Sequence, residues 1–275
     1  MDNECYITPN IIVKNNKFYY LNDITKRLNI INNKNWHKFL SEDGWEKIDW
    51  GWKVRLSKYS ESKFSNCPYA IKDCGAEGNC LFECISTALN YYKALDINNN
   101  DIVKSDKLKQ EYYTAQDIRL IASNQINEDN FTTIIEIYRI AKDNNEFYGD
   151  WDPYKTNTVE LLQKEINTLG NNFWGDHIIL GLLEQGLNIS FILFNSENLD
   201  INGDRIKGLD LSQRYTIHNC MNEIRSKPKV ILLYYINNIH FQIIGYLKSN
   251  IMHLVFNTED LPNEIFYIHK IDCKN

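Results

Sequence analysis

Residues 73–82 read Asp73-Cys74-Gly75-Ala76-Glu77-Gly78-Asn79-Cys80-Leu81-Phe82, a glycine-rich turn followed by an apolar segment. Apolar residues then recur at helical spacing from Leu81 to Leu89, which predicts a helix over about residues 80–93. Cys80 would therefore begin this helix, where unpaired N–H groups and the positive end of the helix dipole favour a thiolate. The same N–H groups can stabilise an oxyanion. The stretch predicts a nucleophilic cysteine.

The composition of the 275-residue chain is that of an ordinary soluble protein, with 43% hydrophobic and 24% charged residues. No apolar run approaches the roughly 18 residues of a transmembrane helix, and the polar residues 1–5 do not form a secretory signal. The net charge of −6 disfavours a general nucleic-acid binder. We therefore expect a cytoplasmic protein with neither a nucleic-acid partner nor a membrane partner.

The seven cysteines are odd in number and irregularly spaced, and the chain contains no Cys-x-x-Cys pair. This pattern argues against a disulfide framework and a structural zinc site, so a thiol redox or zinc protein is a disfavoured alternative. We expect a reducing compartment, no metal and no cofactor. Cys84, one helical turn after Cys80, is interpreted as a small core residue rather than a redox partner.

The first 60 residues differ from the rest because they hold four of the six tryptophans, Trp36, Trp45, Trp50 and Trp52. Clustered tryptophans close a small core or form a docking surface. Since exposed tryptophan is rare, we favour packing against the main domain. We divide the chain into an N-terminal extension, 1–60, and a main domain, 61–275.

In the main domain, the predicted helices come mostly before the predicted strands. Helices are expected at about 80–93, 114–126, from 130, at 159–169 and 177–185; a loop is expected at 96–106, and strands at 189–194, 230–236 and 240–247. This order predicts an α+β fold in which a mostly antiparallel central sheet is flanked by helices.

A thiolate nucleophile needs a base, usually a histidine brought close by the fold. Six histidines compete, at positions 37, 177, 218, 240, 253 and 269. His240 stands out because it follows the turn Asn237-Asn238 at the start of a predicted strand, where a side chain can face a cleft. The competing interpretation is a hydrogen-bonded core or edge histidine without a catalytic role.

Three blocks of sequence resemble, in order, the motifs of the ovarian tumour (OTU) family of cysteine deubiquitinases. They are Gly78-Asn79-Cys80-Leu81-Phe82, then Trp174-Gly175-Asp176 with the helix and strand after it, and finally Ile239-His240-Phe241 with Gly245-Tyr246. Each block alone is weak, but the ordered set, over about residues 70–247, is specific. The residues flanking the first and last blocks most resemble OTU domains of large DNA viruses, which would place the protein in the host cytoplasm or the virion.

The resemblance implies a papain-like OTU fold and a deubiquitinase activity. Such an enzyme is a thiol-dependent isopeptidase that cuts the bond between the C-terminal glycine of ubiquitin and a lysine through a cysteine thioester. By this resemblance Cys80 is the nucleophile, His240 is the base, and backbone N–H groups at Gly78 and Asn79 form the oxyanion hole. Ubiquitin or polyubiquitin is the implied partner, and we expect a monomer.

The resemblance also gives the Trp-Gly pair a role in the substrate channel. Trp174 and Gly175 would wall the narrow passage that a Gly-Gly tail requires. A core anchor is an equally good interpretation of Trp174. Asp176 is expected to cap the helix that follows rather than to contact substrate.

Two residues depart from the family pattern, and both concern the acid of the triad. Glu77 stands where the family usually has Asp, three residues before the nucleophile, and Gln242 stands where it often has Asn or Asp. Gln242 shares a strand face with His240, so its amide oxygen is a candidate for orienting the imidazole. Asp73 and the Asn237-Asn238 turn are the other candidates, and the third member stays open.

These departures leave a second function open, a catalytically weak or inactive ubiquitin-binding module that keeps the fold. The N-terminal extension is also a candidate part of the ubiquitin-binding surface. Its deletion is expected to lower ubiquitin affinity more than the turnover of a bound substrate.

Overall fold

The computed structural model describes residues 4–15, 17–61, 64, 66–99, 112–196, 215–219, 226–236 and 239–273. Within them the chain forms eight α-helices: α1 (Trp36–Leu40), α2 (Trp50–Tyr59), α3 (Cys80–Asn99), α4 (Ala115–Ser123), α5 (Glu128–Asp143), α6 (Val159–Asn167), α7 (His177–Leu187) and α8 (Asn263–Asp272). The strands of the N-terminal part are β1 (Glu4–Tyr6), β2 (Ile11–Lys14), β3 (Lys17–Leu21), β4 (Leu28–Ile30) and β5 (Trp45–Lys47). The strands that follow are β6 (Tyr69–Lys72), β7 (Ile189–Ser196), β8 (Tyr215–Asn219), β9 (Lys229–Ile236), β10 (His240–Lys248), β11 (Ile251–His253) and β12 (Val255–Asn257).

The central sheet has the strand order β5-β6-β10-β9-β7-β8, with β11 beside β10 and β12 beside β9. All its neighbouring strands are antiparallel except β7 and β9, which are parallel. The predicted fold class, α+β with a mostly antiparallel sheet flanked by helices, is therefore confirmed.

Both faces of the central sheet are buried. Phe191 and Leu193 of β7 pack into the core on the side of α3 to α7, whereas Ile192 and Phe194 pack into the core formed with α2 and α8. Successive strand residues alternate between faces, so a strand covered on both faces is apolar throughout. This explains why polar and apolar residues do not alternate along the sequence of β7.

Helix α3 extends to Asn99, further than the predicted end at about residue 93. Residues 96–99, assigned to a loop in the sequence analysis, are thus helical, and the rest of that predicted loop lies outside the described residues. The periodic apolar pattern continues through Ala94 and Leu95, and no glycine or proline interrupts it. Cys80 is thus the first residue of a 20-residue helix.

The boundary predicted at residue 60 does not separate two packed units. Strand β5 pairs with β6 in the central sheet, with Trp45 opposite Lys72. Trp36, Trp45 and Trp52 are at most 1% exposed, which agrees with packing against the main domain, whereas Trp50 is 66% exposed. The boundary at residue 60 does not hold because the sequence of β5 is too short and too polar to predict a strand of the central sheet.

The remainder of the N-terminal part is a small antiparallel sheet of its own, ordered β1-β2-β3-β4. It lies beside α3 and β11, and the Phe18 N–H donates to the Asn250 carbonyl at 3.1 Å. Among the described residues, no helix has both the length and the apolar character needed to cross a membrane.

Two neighbouring tryptophans provide a matched test of this packing. Trp52→Ala removes a fully buried ring that lies 4.5 Å from the Phe194 ring, so the free energy of unfolding should fall by about 3–5 kcal/mol. Trp50→Ala in the same helix should change it by less than about 0.5 kcal/mol, because that ring is exposed. Urea denaturation measures both, and equal effects would contradict the described packing.

Candidate active site

The loop before α3 turns through two consecutive left-handed residues, Glu77 at φ 56° and Gly78 at φ 79°. A Cβ on Gly78 would lie 2.4 Å from the Gly170 carbonyl oxygen and 3.1 Å from Cδ1 of Trp174, so only glycine fits. The Asn79 carbonyl accepts the Glu83 N–H at 2.9 Å, which makes Asn79 the N-cap. The turn thus delivers Cys80 as the first residue of α3.

Helix α3 lies against β10, and this packing brings Cys80 to His240. The Cys84 thiol, one turn into the helix, donates to the Phe241 carbonyl at 3.5 Å and ties the start of the helix to the start of the strand. The Cys80 side chain interacts with the imidazole of His240 and raises the pKa of that ring. Cys84 is fully buried, in agreement with the predicted core role.

One nitrogen of the imidazole, Nε2, faces a carboxylate. Nε2 of His240 lies 3.1 Å from Oδ2 of Asp73, and Oδ1 of Asp73 accepts the Gly75 N–H at 3.1 Å. The antiparallel register of β6 and β10 pairs Lys72 with Ile243, so the chain leaving β6 runs beside the start of β10. Of the candidates for the third member that the structure describes, Asp73 is the one that contacts His240.

The surroundings raise the pKa of His240 above its ordinary value. The largest cause is the interaction of the imidazole with the Cys80 side chain, to which the negative charges of Cys80 and Asp73 add. Partial burial opposes the rise because it disfavours the charged imidazolium. His240 therefore stays protonated to higher pH than a free histidine, as an imidazolium–thiolate pair requires.

Two predicted acid candidates do not reach the imidazole. Gln242 shares a strand face with His240, but its Oε1 is buried and has no hydrogen-bond partner within the described residues. Two residues along a strand span about 6.6 Å, which carries Gln242 past the imidazole. Glu77 is exposed, and among the described residues His240 has a hydrogen bond with Asp73 but none with Glu77. Asn237-Asn238 lies outside the described residues.

The predicted oxyanion donors also need one correction. The Asn79 N–H donates to the Ala76 carbonyl at 3.2 Å and closes the turn, so it does not point to the site. In the described part of the chain, the N–H groups of Gly78 and Cys80 have no acceptor. They are the donors that the geometry offers, because the first N–H groups of a helix have no partner within it.

The Trp-Gly pair packs directly on the start of α3. A Cβ on Gly175 would lie 2.5 Å from the Leu81 side chain, so this contact also requires glycine. Trp174 is half-buried, and its ring stacks on Tyr148 at a centroid distance of 5.9 Å. Both line a cavity of about 530 Å³ that reaches Ile239, next to His240. Trp174 is therefore a wall residue as well as a packing residue.

Asp176 caps α7, as predicted. Its side chain accepts the Ile179 N–H at 2.9 Å, and burial raises its pKa to about 6 despite that hydrogen bond. His177 and His218 line the same cavity with ring centroids 5.8 Å apart, and burial lowers the pKa of both. Within the described residues, no group of three or more His, Cys, Asp or Glu side chains is arranged to hold a metal ion.

One residue that the sequence analysis missed contacts the loop from inside. Arg119 of α4 is fully buried and donates to the Gly78 carbonyl at 3.0 Å and to Oδ1 of Asn79 at 2.8 Å. A signal for it exists in the sequence, because Arg119 falls on the apolar stripe of α4 with Ile118 and Ala122. A charged residue at a core position of an amphipathic helix is uncommon.

No protein-family model and no curated protein matches the sequence. Solved structures similar to this chain are OTU domains. The human OTUD1 OTU domain is 14% identical with a TM-score of 0.36, and the match covers 70% of this chain and 92% of that one. An OTU domain in complex with ubiquitin is 13% identical with a TM-score of 0.39, covering 73% and 83%. An OTU deubiquitinase from Wolbachia pipientis wMel is 11% identical with a TM-score of 0.37, covering 64% and 88%.

The contacts of His240 predict how fast Cys80 reacts with an alkylating agent. Asp73→Asn removes a negative charge beside His240 and lowers the pKa of the imidazole, so the imidazolium–thiolate pair becomes less favourable relative to the neutral pair of thiol and imidazole. Alkylation of Cys80 by iodoacetamide at pH 6, followed by peptide mass spectrometry, should slow in this variant and slow further in His240→Ala. Gln242→Ala should leave the rate unchanged; a larger effect there than in Asp73→Asn would contradict the assignment.

Proposed function

We propose that the protein is a deubiquitinase of the cysteine isopeptidase type. One observation carries the proposal: Cys80 begins helix α3 beside His240, whose pKa it raises, and Nε2 of His240 lies 3.1 Å from Oδ2 of Asp73. Nucleophile, base and orienting acid in contact are the arrangement that acyl transfer by a thiol needs. The ubiquitin substrate is supported by the three sequence blocks that resemble OTU motifs.

The first half of the reaction is acylation. The Cys80 thiolate attacks the carbonyl carbon of the C-terminal glycine of ubiquitin, and the carbonyl oxygen becomes an oxyanion. The N–H groups of Gly78 and Cys80 are the available donors, and one such donor typically contributes about 10²–10³ in turnover. The His240 imidazolium then protonates the leaving lysine amine, and a thioester remains on Cys80.

The second half is hydrolysis of the thioester. His240, now neutral, accepts a proton from water as the water attacks the acyl carbon, and the Cys80 thiolate leaves. Asp73 orients the ring through Nε2 and stabilises the imidazolium each time it forms. The products are a ubiquitin carboxylate and the regenerated ion pair.

The dimensions around Cys80 support a slender acyl group. Gly78 packs on Gly170 and Gly175 packs on Leu81 so closely that neither position has room for a Cβ, and Trp174 lines the neighbouring cavity. A tail of two glycines needs no room for side chains next to the scissile bond. Ubiquitin ends in such a tail, and this fit supports the proposed channel role of Trp174 and Gly175.

The alternative of an inactive ubiquitin-binding module loses its main motivation. Glu77 and Gln242 suggested this alternative, but neither contacts the imidazole of His240. Asp73 does, because its Oδ2 lies 3.1 Å from Nε2 of His240. A ubiquitin contact by the N-terminal part stays a prediction, and deletion of residues 1–60 is not its test because that would remove β5 and α2 from the core.

Ubiquitin carrying a C-terminal propargylamide tests the activity, since it forms a stable adduct only with a reactive cysteine near the glycine carbonyl position. Wild-type protein should form the adduct at Cys80 and Cys80→Ala should form none. In a diubiquitin panel His240→Ala should lose about 10²–10⁴-fold in turnover. Ubiquitin binding without any adduct or cleavage would instead identify a binding module, and no binding at all would exclude both functions.

A further inference from the structure

A buried cation lies beneath the catalytic loop. Arg119 is 0% exposed, and in the described part of the chain all four hydrogen bonds of its guanidinium go to uncharged oxygens. A buried charge without a carboxylate partner is costly in free energy. Burial accordingly lowers the pKa of Arg119 to about 10. Such a residue calls for a role beyond packing.

The guanidinium ties together three segments that meet at the site. Nη2 lies 3.0 Å from the Gly78 carbonyl oxygen, 2.8 Å from Oδ1 of Asn79 and 2.9 Å from the Phe173 carbonyl oxygen. Nη1 donates to the Ile166 carbonyl at 2.8 Å, at the end of α6. One planar group thus fixes the loop before Cys80 and the chain that enters Trp174.

These bonds hold the turn that carries the proposed oxyanion donors. Because the Gly78 carbonyl accepts a hydrogen bond from Arg119, the Gly78–Asn79 peptide is fixed, and it lies between the two N–H groups, of Gly78 and Cys80, that have no acceptor among the described residues. Oδ1 of Asn79 also accepts the Gly170 N–H at 3.2 Å, so the N-cap side chain links the loop to the segment before Trp174. Loss of the guanidinium would therefore free both the loop before Cys80 and the segment before Trp174.

The guanidinium also contacts the start of α3. Cζ of Arg119 lies 4.0 Å from the centre of the Phe82 ring. Phe82 is two residues after the nucleophile. Cys80 and Glu83 are the groups whose negative charge favours the charged form of Arg119. The guanidinium thus adds a positive charge beside the first turn of α3, which begins at Cys80.

We propose that Arg119 is the positioning residue of this active site, holding the Gly78–Asn79 loop and the Trp174 segment in register and adding a positive charge beneath Cys80. Its effect on ubiquitin turnover rests on the proposed function, whereas its effect on thiol reactivity does not. Lysine cannot reproduce the role, because one ammonium lacks the planar fork that reaches all the acceptors.

Two substitutions separate the planar hydrogen-bonding group from the charge. Arg119→Lys keeps the positive charge but loses the planar guanidinium, and Arg119→Met loses both. Arg55 offers the matched control: it is also buried, it pairs with Asp272 at 2.7 Å, and it lies in α2 on the opposite face of the sheet. Arg55→Lys and Arg55→Met remove a buried guanidinium without touching the loop. For each variant we would measure Tm, iodoacetamide alkylation of Cys80 at pH 6, and kcat and KM on a fluorogenic ubiquitin substrate.

Arg119→Lys should keep most of the Cys80 alkylation rate but lower kcat by about 10–10²-fold, as expected for misplaced oxyanion donors, with KM changed less than threefold. Arg119→Met should lower both the alkylation rate and kcat. The Arg55 variants should lower Tm while both rates, measured below Tm, stay within threefold of wild type.

Wild-type kcat in either folded Arg119 variant, or equal losses in the Arg55 variants, would overturn the proposal. If Arg119→Met does not fold, Arg119→Lys decides. If the wild-type protein cleaves no ubiquitin substrate, the proposed function fails, and the alkylation rates alone still decide the role of Arg119: an unchanged rate in Arg119→Met would reject it.

Discussion

The antiparallel pairing of β6 with β10 is the constraint on which the site depends. Its register sets Lys72 opposite Ile243, and the chain that leaves β6 therefore carries Asp73 to Nε2 of His240. Because strand side chains alternate between faces, a slip of one residue would turn His240 away from both of its partners. Helix α3 crosses the same strand, so the nucleophile and the acid are both positioned relative to β10.

The rest of the site consists of features that are each unfavourable alone. Glu77 adopts a left-handed backbone that non-glycine residues seldom adopt, Gly78 and Gly175 allow contacts that any other residue would block, and Arg119 buries a charge. Stable proteins tolerate such features where the surrounding structure determines them. Both cysteines are buried, Cys80 at 4% exposure and Cys84 at 0%, so the concentration of these features around Cys80, and not its exposure, is what separates the two.

The sequence was sufficient for the parts of the site that local pattern determines. Cys80 could be placed at a helix start from the glycine turn, and His240 at a strand start from its flanking residues. The acid could not be identified in this way, because Asp73 reaches His240 only through the register of two strands that lie far apart in the chain. Gln242 was a candidate because it lies on the same strand face as His240, but the distance along the strand between the two residues was not considered. The fold class followed from the order of helices and strands, whereas the boundary at residue 60 failed because β5 is only three residues long.

The protonation of His240 gives the most direct test of the central claim, that Cys80, His240 and Asp73 act as one unit. NMR titration of the imidazole nitrogens measures its pKa in the folded protein. The account predicts a pKa above the ordinary histidine value, with the largest fall in Cys80→Ala, a smaller fall in Asp73→Asn and no change in Gln242→Ala. An ordinary pKa in the wild-type protein, or one that none of these substitutions moves, would contradict it.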